Sequence, residues 1–156
     1  MAKIVLISCT SRKRAYKTKA KYLYDRSPLF RKSLEYARLL NPDKIFILSA
    51  KYGLLDPDVE IEPYDVTLSN VSKKVRTKKP NLKVLSKEER KMWSKNVIDQ
   101  LSKITNLKRD KFILLAGRNY REFLVPHIAN YNIPMEHVIS FYQQGWLTKE
   151  ISKLRK

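Results

Sequence analysis

Three short apolar runs, separated by stretches with helical spacing, constrain the fold of this chain most strongly. They are Lys3–Ile7, Lys44–Ser49 and Lys111–Ala116, and their Ile, Leu, Val and Phe content predicts buried strands. A weaker run at His137–Phe141 predicts a fourth strand. Strands that alternate with helices form parallel sheets with right-handed crossovers. We therefore expect an α/β protein with a short, mainly parallel four-stranded sheet.

Helix signals lie between these runs. Ser27-Pro28 has the N-cap serine and first-turn proline that begin a helix, and Ser86 begins another with Glu89 at the capping-box position. Tyr120–Ala129 predicts a third helix, and Thr148 is the expected cap of a short terminal one. The 156 residues suffice for one domain, 1–156, because two of ordinary size need a longer chain.

The charge balance points to a polyanionic partner. Lys and Arg total 33 against 15 Asp and Glu, a formal net charge of +18. The Lys enrichment of thermophilic proteins normally raises Glu as well, which this composition does not show. Because no basic amphipathic helix stands out, nucleic acid is a better partner than a membrane surface; the resemblance described below implies DNA rather than RNA.

Two acid-free stretches carry much of this charge. In residues 8–24, six basic side chains alternate with three tyrosines, a composition typical of nucleic-acid-binding loops. Residues 66–87 lack clear periodicity and predict a long loop, either a mobile clamp or a disordered flank. We predict that the nucleic-acid backbone is held by Arg12, Arg14, Lys17, Lys51, Lys73, Lys74, Arg76, Lys78, Lys79 and Arg118.

Polar and aromatic residues follow each predicted strand. Open parallel sheets bind ligands at the carboxyl ends of their strands, so these residues are expected to form a pocket. With Tyr64 added from the segment discussed next, the predicted pocket residues are Ser8, Cys9, Thr10, Tyr52, Tyr64, Asn119, Tyr120, Gln143 and Gln144. Tyrosine rings stack on a base, and amides offer paired donors and acceptors to its edge.

Five carboxylates lie within ten residues, at positions 56, 58, 60, 62 and 65. Two interpretations stay open. These acids form salt bridges with the basic loops, or one or two of them enter the pocket as a general base or as stabilisers of a cationic transition state. The segment Glu62-Pro63-Tyr64-Asp65 is the sharpest part, because the proline stiffens the chain between a carboxylate and an aromatic ring. Asp65 and Glu62 are therefore the candidate catalytic acids.

The Cys and His content excludes several classes of site. One cysteine, Cys9, rules out a disulfide framework, and with only His127 and His137 beside it we expect no metal. The chain has no phosphate-binding Walker loop and no dinucleotide fingerprint, so we expect no cofactor. We interpret Cys9 as a small buried residue and both histidines as structural. No run approaches the ~20 apolar residues of a membrane span, and we expect a cytoplasmic monomer.

Motifs in nearly every part of the chain resemble a family of small bacterial, archaeal and phage proteins. The motifs are S-C-T-x-x-K at 8–13, S-P-L-F-R-K at 27–32, S-A-K-Y-G-L-L at 49–55, E-P-Y-D at 62–65, A-G-R-x-Y-R at 116–121 and Q-x-G-W-L at 143–147. More remotely, residues 9–13 look like the P-C-S-x-x-K motif of archaeosine synthase, in which the lysine handles a modified nucleobase. Ser8 and Arg14 stand where that motif has prolines.

The resemblance implies a fold and a class of reaction. The archaeosine synthase domains are similar to the uracil-DNA-glycosylase fold, a parallel sheet between helices, which implies a three-layer α/β/α sandwich. Members of the wider group have been implicated in excising hypermodified bases from phage DNA, an antiviral activity. The expectation is a base-processing enzyme that acts on nucleic acid.

The hypothesis from sequence is a DNA glycosylase that flips out and excises a modified base. Asp65, or Glu62, would position water and stabilise the oxocarbenium-like sugar. Lys13 would neutralise the departing base or a phosphate, or its amine would attack the sugar. Two alternatives stay open: an RNA base-modifying enzyme that uses Lys13 covalently, and a DNA-binding protein without catalytic activity.

Overall fold

The structure, a computed structural model, describes all 156 residues. In chain order its elements are β1 (Lys3–Ser8), β2 (Thr18–Lys19), α1 (Ala20–Leu23), α2 (Pro28–Leu39), β3 (Lys44–Ser49), β4 (Gly53–Leu55), β5 (Glu60–Ile61), β6 (Val66–Thr67), α3 (Lys73–Lys78), β7 (Lys83–Val84), α4 (Lys87–Ile104), β8 (Lys111–Leu115), α5 (Arg118–Arg121), a 3₁₀ turn (Val125–His127), β9 (Tyr131–Asn132) and α6 (Ser140–Leu154).

The chain is a mixed α/β protein built on a mostly parallel five-stranded sheet. The strand order is β4-β3-β1-β8-β9, and only β4 runs antiparallel to its neighbour. The three apolar runs form β1, β3 and β8 with bounds within one residue of those predicted. The prediction of four strands was wrong in number, because two short edge strands, β4 and β9, complete the sheet.

The predicted strand at His137–Phe141 was also wrong. Residue 137 ends a turn that begins at residue 134, residues 138 and 139 are irregular, and Ser140 begins α6. The edge strand on this side is β9, which pairs with β8 from Tyr131. The apolar residues Ile139 and Phe141 are exposed, so their spacing did not report burial against a sheet. Helix α6, which packs along α2, begins at Ser140 instead.

The two predicted helix starts are confirmed by their caps. The Ser27 hydroxyl accepts a hydrogen bond from the Phe30 backbone N–H, and Pro28 occupies the first turn of α2. At α4, the Ser86 hydroxyl accepts from the Glu89 N–H while the Glu89 carboxylate accepts from the Ser86 N–H. Both caps satisfy backbone donors that the first helical turn leaves free.

The helix predicted at Tyr120–Ala129 is interrupted. The structure has only α5 and the 3₁₀ turn at Val125–His127, because Pro126 has no N–H to donate and cannot continue an α-helix. Thr148 is not a cap either. It lies inside α6, where its hydroxyl donates to the Gln144 carbonyl.

The core lies around β1 at the centre of the sheet. Ile4–Ile7 are at most 1% exposed. Helix α2 packs against β1 and against α6, where the rings of Tyr36 and Trp146 meet edge to face, and α4 packs against β4 and α5. No helix of this fold has the length and apolar character that crossing a membrane requires.

The tight hairpin between β3 and β4 depends on Gly53. Its φ is +75°, a conformation that side chains rarely adopt. A Cβ at this position would lie 2.6 Å from the Gln100 Oε1, and that oxygen accepts a hydrogen bond from the Leu54 N–H. The turn therefore has room for glycine alone.

The acid-free stretch 66–87 is more ordered than the predicted long loop. It contains β6, α3 and β7, and β6 pairs in parallel with β7 from Val66 opposite Lys83. Ser72 caps α3 by accepting from the Val75 N–H. This small β-α-β unit holds the basic helix α3 out into solvent, with none of its residues buried.

Candidate active site

Two adjoining cavities open at the carboxyl ends of β1 and β8. The larger, which we call the strand-end cavity, has a volume of about 480 Å³ and is lined by residues that follow both strands. The smaller, the Lys13 cavity, has about 260 Å³ and lies between the loop after β1 and the β6–α3–β7 unit. Their shared wall consists of Cys9, Thr10, Ser69 and Tyr120.

The position of these cavities follows from the topology. From β1 the chain crosses to β3 on one side, and β8 then pairs with the other side of β1. The crevice between β1 and β8 is therefore the point at which the strand order reverses, where open α/β sheets bind their ligands. The sequence-based prediction of a strand-end pocket agrees with this geometry.

Lys13 and Asp65 line the same small cavity. The Asp65 side chain is exposed and has no basic partner within 4 Å. Burial lowers the pKa of Lys13 from its ordinary value, Cys9 and Asp65 oppose that shift, and Lys79 adds to it. The lysine and carboxylate selected from sequence thus face one space, although the fold alone brings their segments together.

The Lys13 ammonium lies on the face of Tyr64. Its Nζ is 4.5 Å from the centre of the ring, within the range of a cation–π interaction. The Tyr64 hydroxyl is 2.6 Å from the Tyr24 hydroxyl and accepts from the Ser49 hydroxyl at 2.9 Å. Burial raises the pKa of Tyr64 and of Tyr24. This buried network fixes the ring on which Lys13 rests.

Cys9 is buried, as predicted, and separates the two cavities. Its Sγ lies 3.4 Å from the Tyr120 hydroxyl, and burial raises the pKa of that tyrosine. Cys9 has no histidine partner, since His127 and His137 are exposed elsewhere on the surface. Nowhere in the structure do three His, Cys, Asp or Glu side chains lie together in a way that could hold a metal ion.

Five of the nine predicted pocket residues line the strand-end cavity. They are Ser8, Cys9, Thr10, Tyr120 and Gln143. The Gln143 amide donates to the Val138 carbonyl, which anchors it at the cavity wall. The sequence analysis missed Ser69, Arg121, Glu136 and Ser140, which also line this cavity. Arg121 is the last residue of the motif at 116–121 and Ser140 lies in the predicted strand at His137–Phe141, but Glu136 and Ser69 carried no signal.

The other four predicted pocket residues lie outside both cavities. Tyr64 packs beneath Lys13. The half-buried Tyr52 packs edge to face against the Tyr64 ring, with ring centres 5.7 Å apart. The Asn119 amide donates to the Leu68 carbonyl at 2.8 Å and links α5 to the segment after β6. Gln144 is exposed on α6.

Different residues of the acidic segment fit the two interpretations left open above. Asp58 forms an ion pair with Lys21 at 2.6 Å, and this pairing lowers the pKa of Asp58. Asp65 lines the Lys13 cavity instead. Glu62 is exposed and lines neither cavity. Of the two candidate acids, Asp65 alone lines one of the two cavities.

Most of the cations predicted to hold a nucleic-acid backbone are exposed and unpaired, but Arg118 forms an ion pair with Glu122 at 3.7 Å. Arg14 is engaged as well. Its Nε and Nη2 donate to the two carboxylate oxygens of Asp25 at 2.9 and 3.0 Å, which raises the pKa of Arg14. Arg12, Lys17, Lys51 and all the cations predicted in residues 73–79 are exposed, and Arg118 is exposed at the mouth of the strand-end cavity.

Comparison with known proteins gives a family match without a functional one. Residues 4–149 match the model of a family described as "Family of unknown function (DUF6884)". Neither the curated proteins nor the solved structures contain a match to the chain.

Proposed function

The chain belongs to this family of unknown function, and we propose that it is a DNA glycosylase that excises a modified base. The observation that carries the proposal is the pairing of Lys13 and Asp65 across one small cavity. That cavity shares a wall with a second one at the switch point of the sheet. One cavity supplies the reactive groups, and the other supplies room for a base.

The strand-end cavity suits a nucleobase that has left its duplex. Its volume of about 480 Å³ falls within the range of roughly 300–1,000 Å³ for small-molecule sites, so a base with an added substituent fits. Serine, threonine and glutamine side chains in its lining offer both donors and acceptors to a base edge. Tyr120 contributes an aromatic ring to the wall that both cavities share.

The proposed reaction is hydrolysis of the bond between C1′ and the base. As this bond breaks, its electron pair leaves with the base and the sugar acquires positive charge. The Asp65 carboxylate stabilises that charge and accepts a proton from the water that adds to C1′. The Lys13 ammonium, held on Tyr64, neutralises the negative charge that develops on the departing base.

A covalent variant of this mechanism uses the same residues. Burial lowers the pKa of Lys13, which increases the fraction of neutral amine available as a nucleophile. The amine would attack C1′, the base would leave with the electron pair of the broken bond, and the resulting linkage would open to an imine. Reduction of that imine with borohydride would trap Lys13 on the DNA, whereas the hydrolytic route leaves no adduct.

The surface charge supports a nucleic-acid substrate. Exposed cations of α3 flank the Lys13 cavity, and Lys79 lines it. Phosphate contacts of this kind supply affinity without sequence preference and offset the cost of unstacking a base. The fold supports the proposal at a coarser level: right-handed crossovers in opposite directions from β1 are expected to place α2 and α4 on opposite faces, as in a uracil-DNA-glycosylase-like sandwich.

The decisive experiment measures base release from DNAs that carry different modifications, including phage DNA with glucosylated cytosine. Released bases are identified by mass spectrometry, and abasic sites by alkaline strand cleavage. We expect release by the wild type, and a loss of about 100-fold or more in Asp65→Asn and in Lys13→Ala. Glu60→Gln and Lys103→Ala serve as matched controls, because both residues are exposed and line neither cavity.

Three results would contradict the proposal or redirect it. Unchanged release in both Asp65→Asn and Lys13→Ala would remove the mechanism, and a loss confined to Glu62→Gln would move the catalytic role to that carboxylate. A Lys13 adduct on modified RNA but not on DNA would select RNA base modification. Tight binding to every DNA without release from any would leave a binding protein.

A further inference from the structure

Exposed apolar side chains cluster at the start of α6. Ile139, Phe141 and Tyr142 are 65%, 86% and 62% exposed, and the rings of Phe141 and Tyr142 meet edge to face with centres 5.1 Å apart. We call Phe141 and Tyr142, together with Ile139 just before the helix, the α6 aromatic face. Single exposed apolar residues are ordinary, but a cluster of adjacent ones marks an interaction surface.

The α6 aromatic face borders the strand-end cavity. Ile139, Ser140 and Gln143 line that cavity, and Phe141 and Tyr142 lie between them in the first turn of the helix. A polymer with one unit in the cavity would therefore continue over the aromatic face.

Gly145 keeps the adjacent helix surface open. It lies one turn after Phe141 and Tyr142, it is exposed, and a Cβ there would meet no atom within 4 Å. Glycine inside a helix is destabilising relative to alanine. Because no packing within the chain requires this glycine, its place beside the aromatic residues fits a ligand that approaches the backbone closely.

Charge identifies the class of ligand. The chain carries a net charge of +18, Arg118 and Arg121 line the adjoining cavity, and the exposed Lys149 shares a helical face with Tyr142. Cationic surroundings oppose docking of a second copy of the same chain and favour a polyanion. Aromatic rings within a cationic surface are the means by which proteins hold single strands, since every base has a face that can stack.

We propose that the bases next to the one in the strand-end cavity stack on the α6 aromatic face, so that the protein takes nucleic acid in an unpaired form. In an intact duplex the base faces are covered by neighbouring bases and cannot reach Phe141 or Tyr142. This inference rests on the proposed function for its choice of nucleic acid, but it requires no base release.

The test compares the affinity of an unmodified oligodeoxynucleotide with that of its perfect duplex, by fluorescence anisotropy over a range of salt concentrations. In the double variant Phe141→Ala/Tyr142→Ala, we expect single-strand affinity to fall about 10-fold or more. The salt slope should not change, because no charge is removed. Tyr131→Ala is the matched control, since this exposed aromatic lies at the amino end of the sheet, opposite Phe112.

A second variant adds bulk without removing an aromatic ring. Gly145→Leu introduces a better helix former into open space, so the free protein should unfold at a higher temperature. If a strand passes over this surface, single-strand affinity should fall nonetheless. A fall in affinity together with a higher unfolding temperature separates loss of the site from misfolding and supports the proposal.

Other outcomes would overturn the inference. Single-strand affinity within about 2-fold of wild type in Phe141→Ala/Tyr142→Ala would do so, as would an equal loss on the duplex. A change from oligomer to monomer in light scattering, without a change in binding, would assign the face to self-association. If excision fails while the double variant still loses single-strand binding, the proposed function falls and this inference stands.

Discussion

Tyr64 connects the buried core to the Lys13 cavity. Its hydroxyl is held by Tyr24 and Ser49 inside the protein, while its ring supports Lys13 at the surface of the cavity. A flexible lysine loses rotamer freedom when it is held in one position, and the fixed ring offsets part of that loss. The position of Lys13 thus depends on hydrogen bonds made on the far side of the tyrosine.

Two substitutions at Tyr64 separate these contributions. Tyr64→Phe keeps the ring and deprives the buried Tyr24 hydroxyl of its partner, so the free energy of unfolding should fall by about 1–3 kcal/mol with base release retained. Tyr64→Leu also removes the ring, and release should fall roughly 2- to 30-fold as the cation–π contact is lost. Urea unfolding and excision rates provide the measurements. Equal rates in the two variants would show that the ring does not position Lys13.

Lys13 should make stability depend on pH in a defined direction. Its pKa in the folded protein lies below the ordinary lysine value of 10.5, which the unfolded chain retains. Between the folded and the unfolded pKa the unfolded chain therefore binds more protons, and stability rises with pH. Lys13→Met removes that titration. We expect the variant to gain stability relative to wild type near pH 7, and this gain should shrink as the pH approaches 10.5.

Urea unfolding of wild type and Lys13→Met over this pH range isolates the contribution of Lys13 to the free energy of unfolding. The buried tyrosines titrate in both proteins and cancel in the difference. A difference between Lys13→Met and wild type that stays constant with pH would mean that the pKa of Lys13 is not lowered in the folded state.

At the scale of elements, α3 is held away from the core by the short strands on either side of it. Its residues are all exposed, and Ser72 caps its first turn. A six-residue helix has little stability of its own, so the pairing of β6 with β7 maintains it. This arrangement presents four cations close to the Lys13 cavity without using them in the core.

Removing cations from α3 should weaken binding in a salt-dependent way. Lys73→Ala/Lys74→Ala is expected to reduce the slope of log affinity against log salt by up to about 1.4 for a single strand, if each lysine contacts one phosphate. The loss should be similar for unrelated sequences. Titrations at several salt concentrations measure it, with Lys103→Ala/Lys108→Ala as the control for net charge. An identical slope change in the control would show that α3 has no special part in binding.

At the scale of the whole molecule, an excess of positive charge surrounds a compact core. The net charge of +18 destabilises the free protein by self-repulsion, and a bound polyanion relieves it. Salt screens both effects, since charges separated by more than about 10 Å interact weakly at 0.1 M ionic strength.

Salt should therefore raise the melting temperature of the free protein and reduce the additional stabilisation that DNA provides. Between roughly 0.05 and 0.5 M NaCl, within the range over which screening grows, the free protein should melt at a higher temperature. The additional stabilisation by a saturating oligonucleotide should decrease over the same range as its affinity falls. Differential scanning fluorimetry measures both. Stabilisation by DNA that is independent of salt would contradict a predominantly electrostatic contact.

The central strands and the helix caps could be predicted because their signals are local. β1, β3 and β8 are continuous apolar runs, and Ser27 and Ser86 are caps whose partners lie three residues away. The edge strands β4 and β9 could not be predicted in this way. They are short, and the exposed Tyr131 of β9 pairs only because β8 presents a free edge. On the same side as β9, Ile139 and Phe141 have a strand-like pattern, but both are exposed and the chain becomes helical at Ser140.

From the sequence alone came the hypothesis of a polyanionic partner, the expected strand-end location of a pocket, and Lys13 and Asp65 as candidates, because residue type and position after a strand carry that information. The tertiary structure alone decided that Lys13 lines the same cavity as Asp65 and lies over the ring of Tyr64, that Glu62 stays outside this cavity, and that Arg14 pairs with Asp25. Lys13 meets Tyr64 and shares a cavity with Asp65 across about fifty residues of chain. Their geometry depends on how the loops fold over the sheet, which no local pattern encodes.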